Sequence, residues 1–476
     1  VFINKRKKLI IMKKIKLRGS ELKRLGYTDS RAISLANQLV SKHFDRESKM
    51  EALEKLEKIA LNPAGFLKDA IWGDLAQLLV EKPVKARKKN IINPTKLEFE
   101  IFGAENIDPE AIAQMEMAMK LPISVKGALM PDAHVGYGLP IGGVLATYNA
   151  VIPYGVGMDI GCRMCLSVFP ASPEKIDTDR EYIKEVLLSE TRFGLQEFTD
   201  ENDHEILERQ EFREIKFLKS LHNSFAAQLG TSGHGNHFVD VGYVTIPVFS
   251  ELIGLQPGAY FAILSHSGSR NFGAQVCQHY TAIAKDKLQL TGEAAKLAWL
   301  EMDSQEGQEY WAAMQLAGDY SHANHRIIHR RLAKALGETP LTIIENHHNF
   351  AWKETLDTGE ELIIHRKGAT PARIGDVGII PGTMASPAFI VAGKGNDAAL
   401  QSAAHGAGRL MSRNQARKSL SDKKMKEYLH KKGVELIGGD LDEAPAAYKD
   451  IHEVMESQKY LVDVLGKFHP KIVRMK

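Results

Sequence analysis

The segment MDIGC sets Asp159 and Cys162 three residues apart in a glycine-bounded turn. A carboxylate and a thiolate, joined by imidazoles from other turns, make a mixed oxygen, sulfur and nitrogen donor set. Such a set suits a borderline divalent ion such as Mn²⁺, Zn²⁺ or Fe²⁺ rather than Ca²⁺ or Mg²⁺. A thiolate can also bridge two ions, and paired ions are the usual apparatus of phosphoryl chemistry. Imidazoles are plentiful, because the chain carries 18 histidines. Several lie beside glycine or polar residues: His134 in PDAHVG, His234 and His237 in GHGNHFVD, His266 in LSHSGSR, His347 and His348 in ENHHNF, His365 in IHRKGA and His405 in AAHGAGR. Turns of that kind let backbone and ligand approach closely. One such histidine is more often structural; the recurrence argues for a site. The competing motif, Cys162-Arg-Met-Cys165, is formally a redox CxxC but lacks the helix start that activates a thiol. Cys165 and Cys277 read as small core residues.

Phosphate binding has no GxxxxGK[ST] loop to rest on, and GYGLPIGG (136–143) has the wrong spacing for a dinucleotide fingerprint. HGAGRLMSR (405–413) is the better candidate. Its glycines read as opening a helix, so N–H groups of Gly406, Ala407 and Gly408 would meet a phosphate, followed by Arg409 and Arg413. A histidine fixed there, His405, is placed to attack phosphorus and form a phosphoramidate. SHSGSR and HRKGAT add Arg270, Arg366 and Lys367 as anion holders. These residues imply a metal-dependent phosphoryl or nucleotidyl transferase.

The elements that must position them form an α+β pattern. Residues 17–80 read as short helices punctuated at Pro63–Gly65, and EKPVKARKKNIINP (81–94) reads as a linker. That sets a boundary near 95, with residues 1–95 as a helical extension and 96–476 as the catalytic domain. Residues 120–170 have strand and tight-turn texture, 174–228 are helical, and two strands precede a long helical stretch around 278–335. Strands resume at ELIIHRKGAT, and a helical, charged tail is expected to close the chain. Sheets with helices inserted between hairpins suit this order better than a βαβ alternation.

Among the 476 residues, 44% are hydrophobic and 25% charged, which excludes wholesale disorder. No apolar run approaches the roughly 20 residues of a membrane span. The apolar patch Leu9–Met12 is too short for a secretory core, and Met12 is a candidate initiator. Three cysteines cannot complete a disulfide framework, so a cytoplasmic location is expected. The net charge of +3 hides an asymmetry: residues 1–95 hold 22 basic against 10 acidic residues, a balance of +12, leaving −9 for the rest. A basic front on an acidic body reads as an arm for a polyanion, densest at Lys82, Lys85, Arg87, Lys88 and Lys89.

Taken together, PDAHVGYGLPIGG, VGMDIGCRM, GHGNHFVDVG, LSHSGSRNFG, HHNFAWKE, HRKGAT, GIIPGTM, HGAGRLMSR and AAYKDIHEV resemble, in order, the RtcB family of RNA-splicing ligases over roughly residues 98–476. The resemblance implies joining of an RNA 3′-phosphate or 2′,3′-cyclic phosphate to a 5′-hydroxyl with GTP and Mn²⁺, two ions being expected. It makes Asp159, Cys162, His237, His266 and His348 the metal ligands, with His347 behind them. Asn236 would lie beside the metal-bound phosphate and His405 would be guanylylated. Tyr448 and Lys476 would line the guanosine pocket, with Thr383 and Met384 nearby and Asp240 facing guanine. Arg270, Lys367, Arg409 and Arg413 would hold RNA or phosphate. RNA is the implied partner, and an archease-like activator is a further one the resemblance admits. Departures gather in the nucleotide pocket: Asp240 stands where glutamate is usual, Thr383 and Ala388 replace serines, Ala404 replaces cysteine, and no glycine follows Lys476. A metal-dependent phosphohydrolase that never forms a nucleotide adduct is the alternative reading.

Overall fold

The structure, a computed structural model, describes residues 15, 17–18, 21–22, 25–27, 30–45, 48–81, 92–198, 204–355 and 359–476. The linker lysines and arginine between 82 and 89 lie outside the described residues. The chain divides into two compact units, Val1–Asn90 and Ile91–Lys476.

The first unit is helical. Ser30–His43, Lys49–Leu61 and Gly73–Glu81 are α-helices, with a 3-10 turn at Pro63–Phe66. Apolar residues three and four apart give it a core of its own: Ala36, Val40, Leu56, Ile59, Trp72, Leu75 and Leu79 are buried together.

The second unit is built on two sheets. The five-stranded one has the order Glu100–Ile101, Ser124–His134, Ile141–Thr147, Glu361–Lys367, Asn349–Thr355, antiparallel except for its first pair. The eight-stranded one runs Val377–Ile380, Ala388–Gly393, Val462–Arg474, Phe238–Ile246, Gly258–Ser267, Arg163–Val168, Thr342–His347, with Glu435–Ile437 also pairing to Val462–Arg474. Alternate residues of its strands face opposite ways. Met164, Leu166, Val244, Leu264 and Phe468 pack on one face. Phe261, Ile263, Val239 and Val241 meet Ile328 and Leu332 of the Gln305–Leu336 helix on the other.

Two expectations are corrected here. The helical stretch around 278–335 is two helices, Asn271–Leu288 and Gln305–Leu336. Gln289, left-handed at φ 54°, caps and stops the first, its N–H donating to Lys285 O; Ser304 Oγ accepts from Gly307 N and starts the second. The tail is likewise not helical at its end: Val462–Arg474 is a 13-residue strand inside the larger sheet. Lysines on its partly exposed positions masked the period of two, and Pro470 is accommodated at a register shift between Pro470 and Ile472.

Candidate metal and nucleotide site

Four adjacent strands of the larger sheet deliver the donor atoms. In sheet order they are Phe238–Ile246, Gly258–Ser267, Arg163–Val168 and Thr342–His347, each antiparallel to the next. Antiparallel order sets the start of one strand beside the end of its neighbour. His237 precedes the first, His266 nearly ends the second, Cys162 precedes the third and His348 follows the fourth. All four therefore arrive at the same end of the sheet. His348 is also the crossing point between sheets, since Asn349 already pairs in the smaller one. His348 N donates to Cys162 O at 3.0 Å and Gly161 N to Asn349 O at 2.8 Å, which fastens that seam.

Cys162 Sγ lies 3.1 Å from His266 Nε2 and 3.6 Å from His237 Nε2. His266 Nε2 is 3.2 Å from His348 Nε2, and His237 Nε2 is 2.9 Å from Asp159 Oδ2. Two donor groups result, Cys162–His266–His348 and Asp159–Cys162–His237, sharing Cys162. His266 reveals what they are built to hold. Its Nδ1 lies 2.9 Å from Asn236 O, and a carbonyl only accepts, so Nδ1 carries the proton and Nε2 a lone pair. Burial keeps His266 neutral, at about 3, and holds His348 well below the ordinary histidine range. Burial, reinforced by the Asp159 carboxylate, pushes the Cys162 thiol up. Burial also opposes ionisation of Asp159, but His237 outweighs it and the carboxyl sits at about 2. The His266 Nε2 lone pair thus faces Cys162 Sγ and His348 Nε2, and this set of imidazole, thiol and carboxylate donors fits a borderline divalent ion. Two glycines make the approach feasible: a Cβ on Gly268 would overlap the Asp159 carboxylate, and one on Gly233 the His237 ring.

The donors open onto a cavity of about 350 Å³. Asp159, Cys162, Asn236, Asp240, His266, His348, Lys367, Thr383, Met384, His405, Gly406, Ala407, Gly408, Arg409, Arg413 and Tyr448 all line it. His237 joins the donor group without lining the cavity, and Arg270 and Lys476 are off the wall. The His405 ring lies 4.9 Å from that of His348. Asp132 Oδ2 accepts from His405 Nδ1 at 2.6 Å and from His405 N at 3.1 Å, which leaves Nε2 with the lone pair. Asp132 is fully buried and was missed by sequence reasoning, which singled out His134 of the same motif. An acid within the apolar run LMPDAH was the available signal.

The HGAGR segment opens no helix: residues 405–411 are irregular and bent, with Arg409 bridged antiparallel to Tyr448, and the next helix starts at Arg413 behind its cap, Ser412. Arg409 donates to Tyr448 Oη at 2.9 Å and to Asp442 O; Arg413 donates to Asp442 Oδ2 at 2.7 Å and to Glu443. The buried acids Asp442 and Glu443, also missed in the sequence, thus hold both guanidinium groups toward the cavity. Arg413 Nη2 lies 3.5 Å from Asn236 Oδ1. Asp240 is buried on the wall with one carboxyl oxygen unpartnered among described residues, and burial raises it well above the carboxylate range. Lys367 Nζ donates to Tyr137 O at 2.5 Å and Tyr154 O at 3.1 Å, and burial brings it down to about 8.

Three side chains hold the scaffold instead. Arg270, at φ 60°, donates to Gly194 O at 2.6 Å and Thr231 Oγ1 at 3.0 Å, tying two loops together. Arg366 is fully buried, paired bidentately with Glu354 at 2.7 and 3.1 Å and bonded to Ser402 Oγ and Leu400 O, so little of it remains for an anion. His365 accepts from Ile152 N at 2.9 Å and faces Leu145 O at 3.2 Å, a structural histidine of the smaller sheet. Lys476 is exposed; its carbonyl accepts from Gly439 N at 2.8 Å.

A family described as tRNA-splicing ligase RtcB matches residues 114–218 and 185–476. The chain belongs to the RtcB family. It is similar to an RNA-splicing ligase RtcB of Mycobacterium tuberculosis, 34% identical over 400 residues, covering 69% of this chain and 91% of that protein. The Escherichia coli K12 RNA-splicing ligase RtcB is 31% identical over 393 residues, covering 75% and 92%. A tRNA-splicing ligase RtcB of Archaeoglobus fulgidus is 31% identical over 423 residues, covering 74% and 87%. Membership makes this enzyme an RNA ligase. Among the described residues no helix is long and apolar enough to cross a membrane.

In this RtcB-family chain a further Cys165–His325–His329 group also has metal-ligand spacing. Its imidazoles, however, are saturated by a one-directional chain. Ser267 O, 3.1 Å away, can only accept, so His325 Nε2 donates and His325 Nδ1 accepts from Ser265 Oγ at 2.7 Å. Ser265 Oγ then accepts from His329 Nε2 at 2.8 Å, and His329 Nδ1 accepts from Ser167 Oγ at 2.7 Å. Asn324 of the same helix accepts from Gly230 N at 2.8 Å and donates to Gly268 O at 3.1 Å. The Gln305–Leu336 helix therefore grips, from the opposite face, the strand that carries His266. His347 stacks on Trp352 at 5.0 Å, outside the donor groups.

Proposed function

We propose that the chain joins RNA 3′-phosphate or 2′,3′-cyclic phosphate ends to 5′-hydroxyl ends using GTP and Mn²⁺, through a guanylylated His405. One juxtaposition carries the reading: an Asp132-oriented imidazole, its Nε2 without a partner among the described residues, lies against His348 of one of two donor groups that share the Cys162 sulfur. Asp159, Cys162, His237, His266 and His348 would hold the metal, which supplies Lewis-acid neutralisation of phosphate charge. His405 Nε2 attacks the α-phosphorus of GTP; the N–P bond forms as the bond to pyrophosphate breaks. Asp132 keeps the Nδ1 proton in place, so the attacking nitrogen is always Nε2. A 2′,3′-cyclic phosphate is first opened by water, which adds to phosphorus as the bond to O2′ breaks; GMP then passes to the resulting 3′-phosphate, and the 5′-hydroxyl displaces GMP to seal the strand. Arg409 and Arg413, held by Asp442 and Glu443, offer preorganised charge to the phosphates. Asn236, Thr383, Met384, Tyr448 and the Gly406–Ala407–Gly408 segment complete the nucleotide wall. Incubation with Mn²⁺ and α-labelled GTP, then denaturing electrophoresis, tests the reading: label stays on the protein. An unlabelled protein that still hydrolyses RNA cyclic phosphates would make it a phosphohydrolase.

Asp240 bears on nucleotide choice. A carboxylate accepting from guanine N1–H and its exocyclic amine separates guanine from adenine, and such contacts can discriminate by about 10⁴-fold. Asp240 is shorter than glutamate and pays burial on its own, so the expected GTP preference is weaker, with measurable labelling from ATP. Asp240→Glu is expected to raise the GTP:ATP labelling ratio about tenfold or more. No change in that ratio would remove Asp240 from the base.

The basic front supports capture of RNA. Replacing Lys82, Lys85, Arg87, Lys88 and Lys89 by Ala is expected to reduce the slope of log affinity against log salt by up to about 3.5 for a single strand. Identical slopes would leave that segment without an RNA role.

A further inference from the structure

HVGYGLPI places Tyr137 between two glycines, in the segment that joins His134 and Ile141 of the cavity wall. The turn is held from several sides. Gln114 Nε2 donates to Gly136 O at 2.7 Å, and Gly136 N donates back to Gln114 Oε1 at 2.9 Å. Lys367 Nζ donates to Tyr137 O, and Gly138 takes a φ of 77° that a side chain would strain. A turn tied this firmly would be expected to tuck its aromatic ring away. Instead Tyr137 is 67% exposed.

A single exposed tyrosine explains nothing by itself. Its surroundings do. Tyr154 lies beside it, ring centroids 6.2 Å apart and tilted 32°. Lys285 Nζ and Lys367 Nζ approach the Tyr154 ring at 5.6 and 5.4 Å. Met158, 40% exposed, continues this surface onto the cavity wall. Tyr137 is three residues from His134 and Tyr154 three from Gly157, both on the wall, so each backbone is within about 10 Å of it. Segments that adjoin the cavity wall thus carry paired rings with the exposed Lys285 ammonium beside them, on a backbone that loses little freedom when something docks.

A strand end delivered to this cavity brings a phosphate or hydroxyl inside and leaves its base outside. Unpaired bases stack on aromatic side chains without regard to sequence, and ammonium groups favour the adjoining backbone. We propose that Tyr137, backed by Tyr154, is the stacking platform for the terminal base of an RNA strand end. It rests on RNA being the substrate, and a stacking contact of this kind does not depend on which base the end carries. It does not depend on which nucleotide activates the enzyme.

The test uses the full-length protein and oligoribonucleotides ending in a 3′-phosphate or a 5′-hydroxyl, each with an intact or an abasic terminal nucleotide. Fluorescence anisotropy without GTP reads binding directly, so a failure of the guanylylation chemistry leaves this result readable. Tyr137→Ala is expected to weaken binding of one intact end about 5- to 150-fold, to leave abasic-end binding unchanged, and to leave self-labelling by GTP unchanged. Tyr137→Phe and Tyr137→Trp are expected to keep intact-end affinity, which separates stacking from the phenol hydroxyl. Equal losses on intact and abasic ends would mean the ring only supports the turn, and no loss on either end would mean no base rests there. Either result overturns the proposal.

Discussion

His405→Ala is expected to abolish the covalent nucleotide adduct and to lower strand sealing by on the order of 10⁴-fold or more, because the adduct cannot form without its nucleophile. Bound metal should be unchanged, since His405 belongs to neither donor group. Asp132→Asn is the sharper version of the same experiment. The amide can donate where the carboxylate accepts, so it can face Nδ1 with N–H and move the imidazole proton to Nε2, silencing the nucleophile without removing it. Sealing is expected to fall by about 10²- to 10⁴-fold while the fold and the metal remain. Adduct formation in His405→Ala would transfer the role elsewhere. His365 is a poor heir, because backbone atoms engage both of its ring nitrogens.

Cys162→Ser is expected to weaken both metal positions together, and by more than about 100-fold, since its sulfur is common to the two donor groups and a hydroxyl is a far poorer ligand. Asp159→Ala and His348→Ala should each affect one position, because each belongs to one group. Elemental analysis after dialysis against Mn²⁺ reads this pattern without any activity measurement. Two ions retained in Cys162→Ser would show that Cys162 is only a buried residue at the end of its strand. Equal losses from Asp159→Ala and Cys162→Ser would show one ion held by all five side chains rather than two groups sharing a thiolate.

Much of the donor chemistry was legible in the residues themselves. Asp159, Cys162, His237 and His266 stand in glycine-bearing segments whose composition marks a close approach, and His348 stands in the polar ENHHNF; the glycines at 233 and 268 are required by that approach. The α+β class and the helical first unit followed from periodicity, because apolar spacing reports which face of an element is buried. Local reading failed where a pattern is shared by different structures. Lysines on the Val462–Arg474 strand look like a charged helix until the sheet shows them on its partly exposed positions. HGAGR looks like a helix start, yet the chain turns there instead.

Partner choice needed the tertiary structure, because it joins residues that no local pattern relates. Asp132 and His405 lie 273 residues apart and meet only because the strand ending at His134 reaches the turn after Ala404. HRKGAT offers three basic side chains, and the fold divides them. His365 and Arg366 are consumed by the scaffold, and Lys367 binds the Tyr137 and Tyr154 turns at the cavity. Sequence determined which atoms could coordinate a metal, attack phosphorus or hold an anion, because that is fixed by side-chain type. Tertiary structure decided which of them are free to do so, because a buried group must first satisfy its hydrogen bonds, and only the packing of distant strands settles where those bonds go.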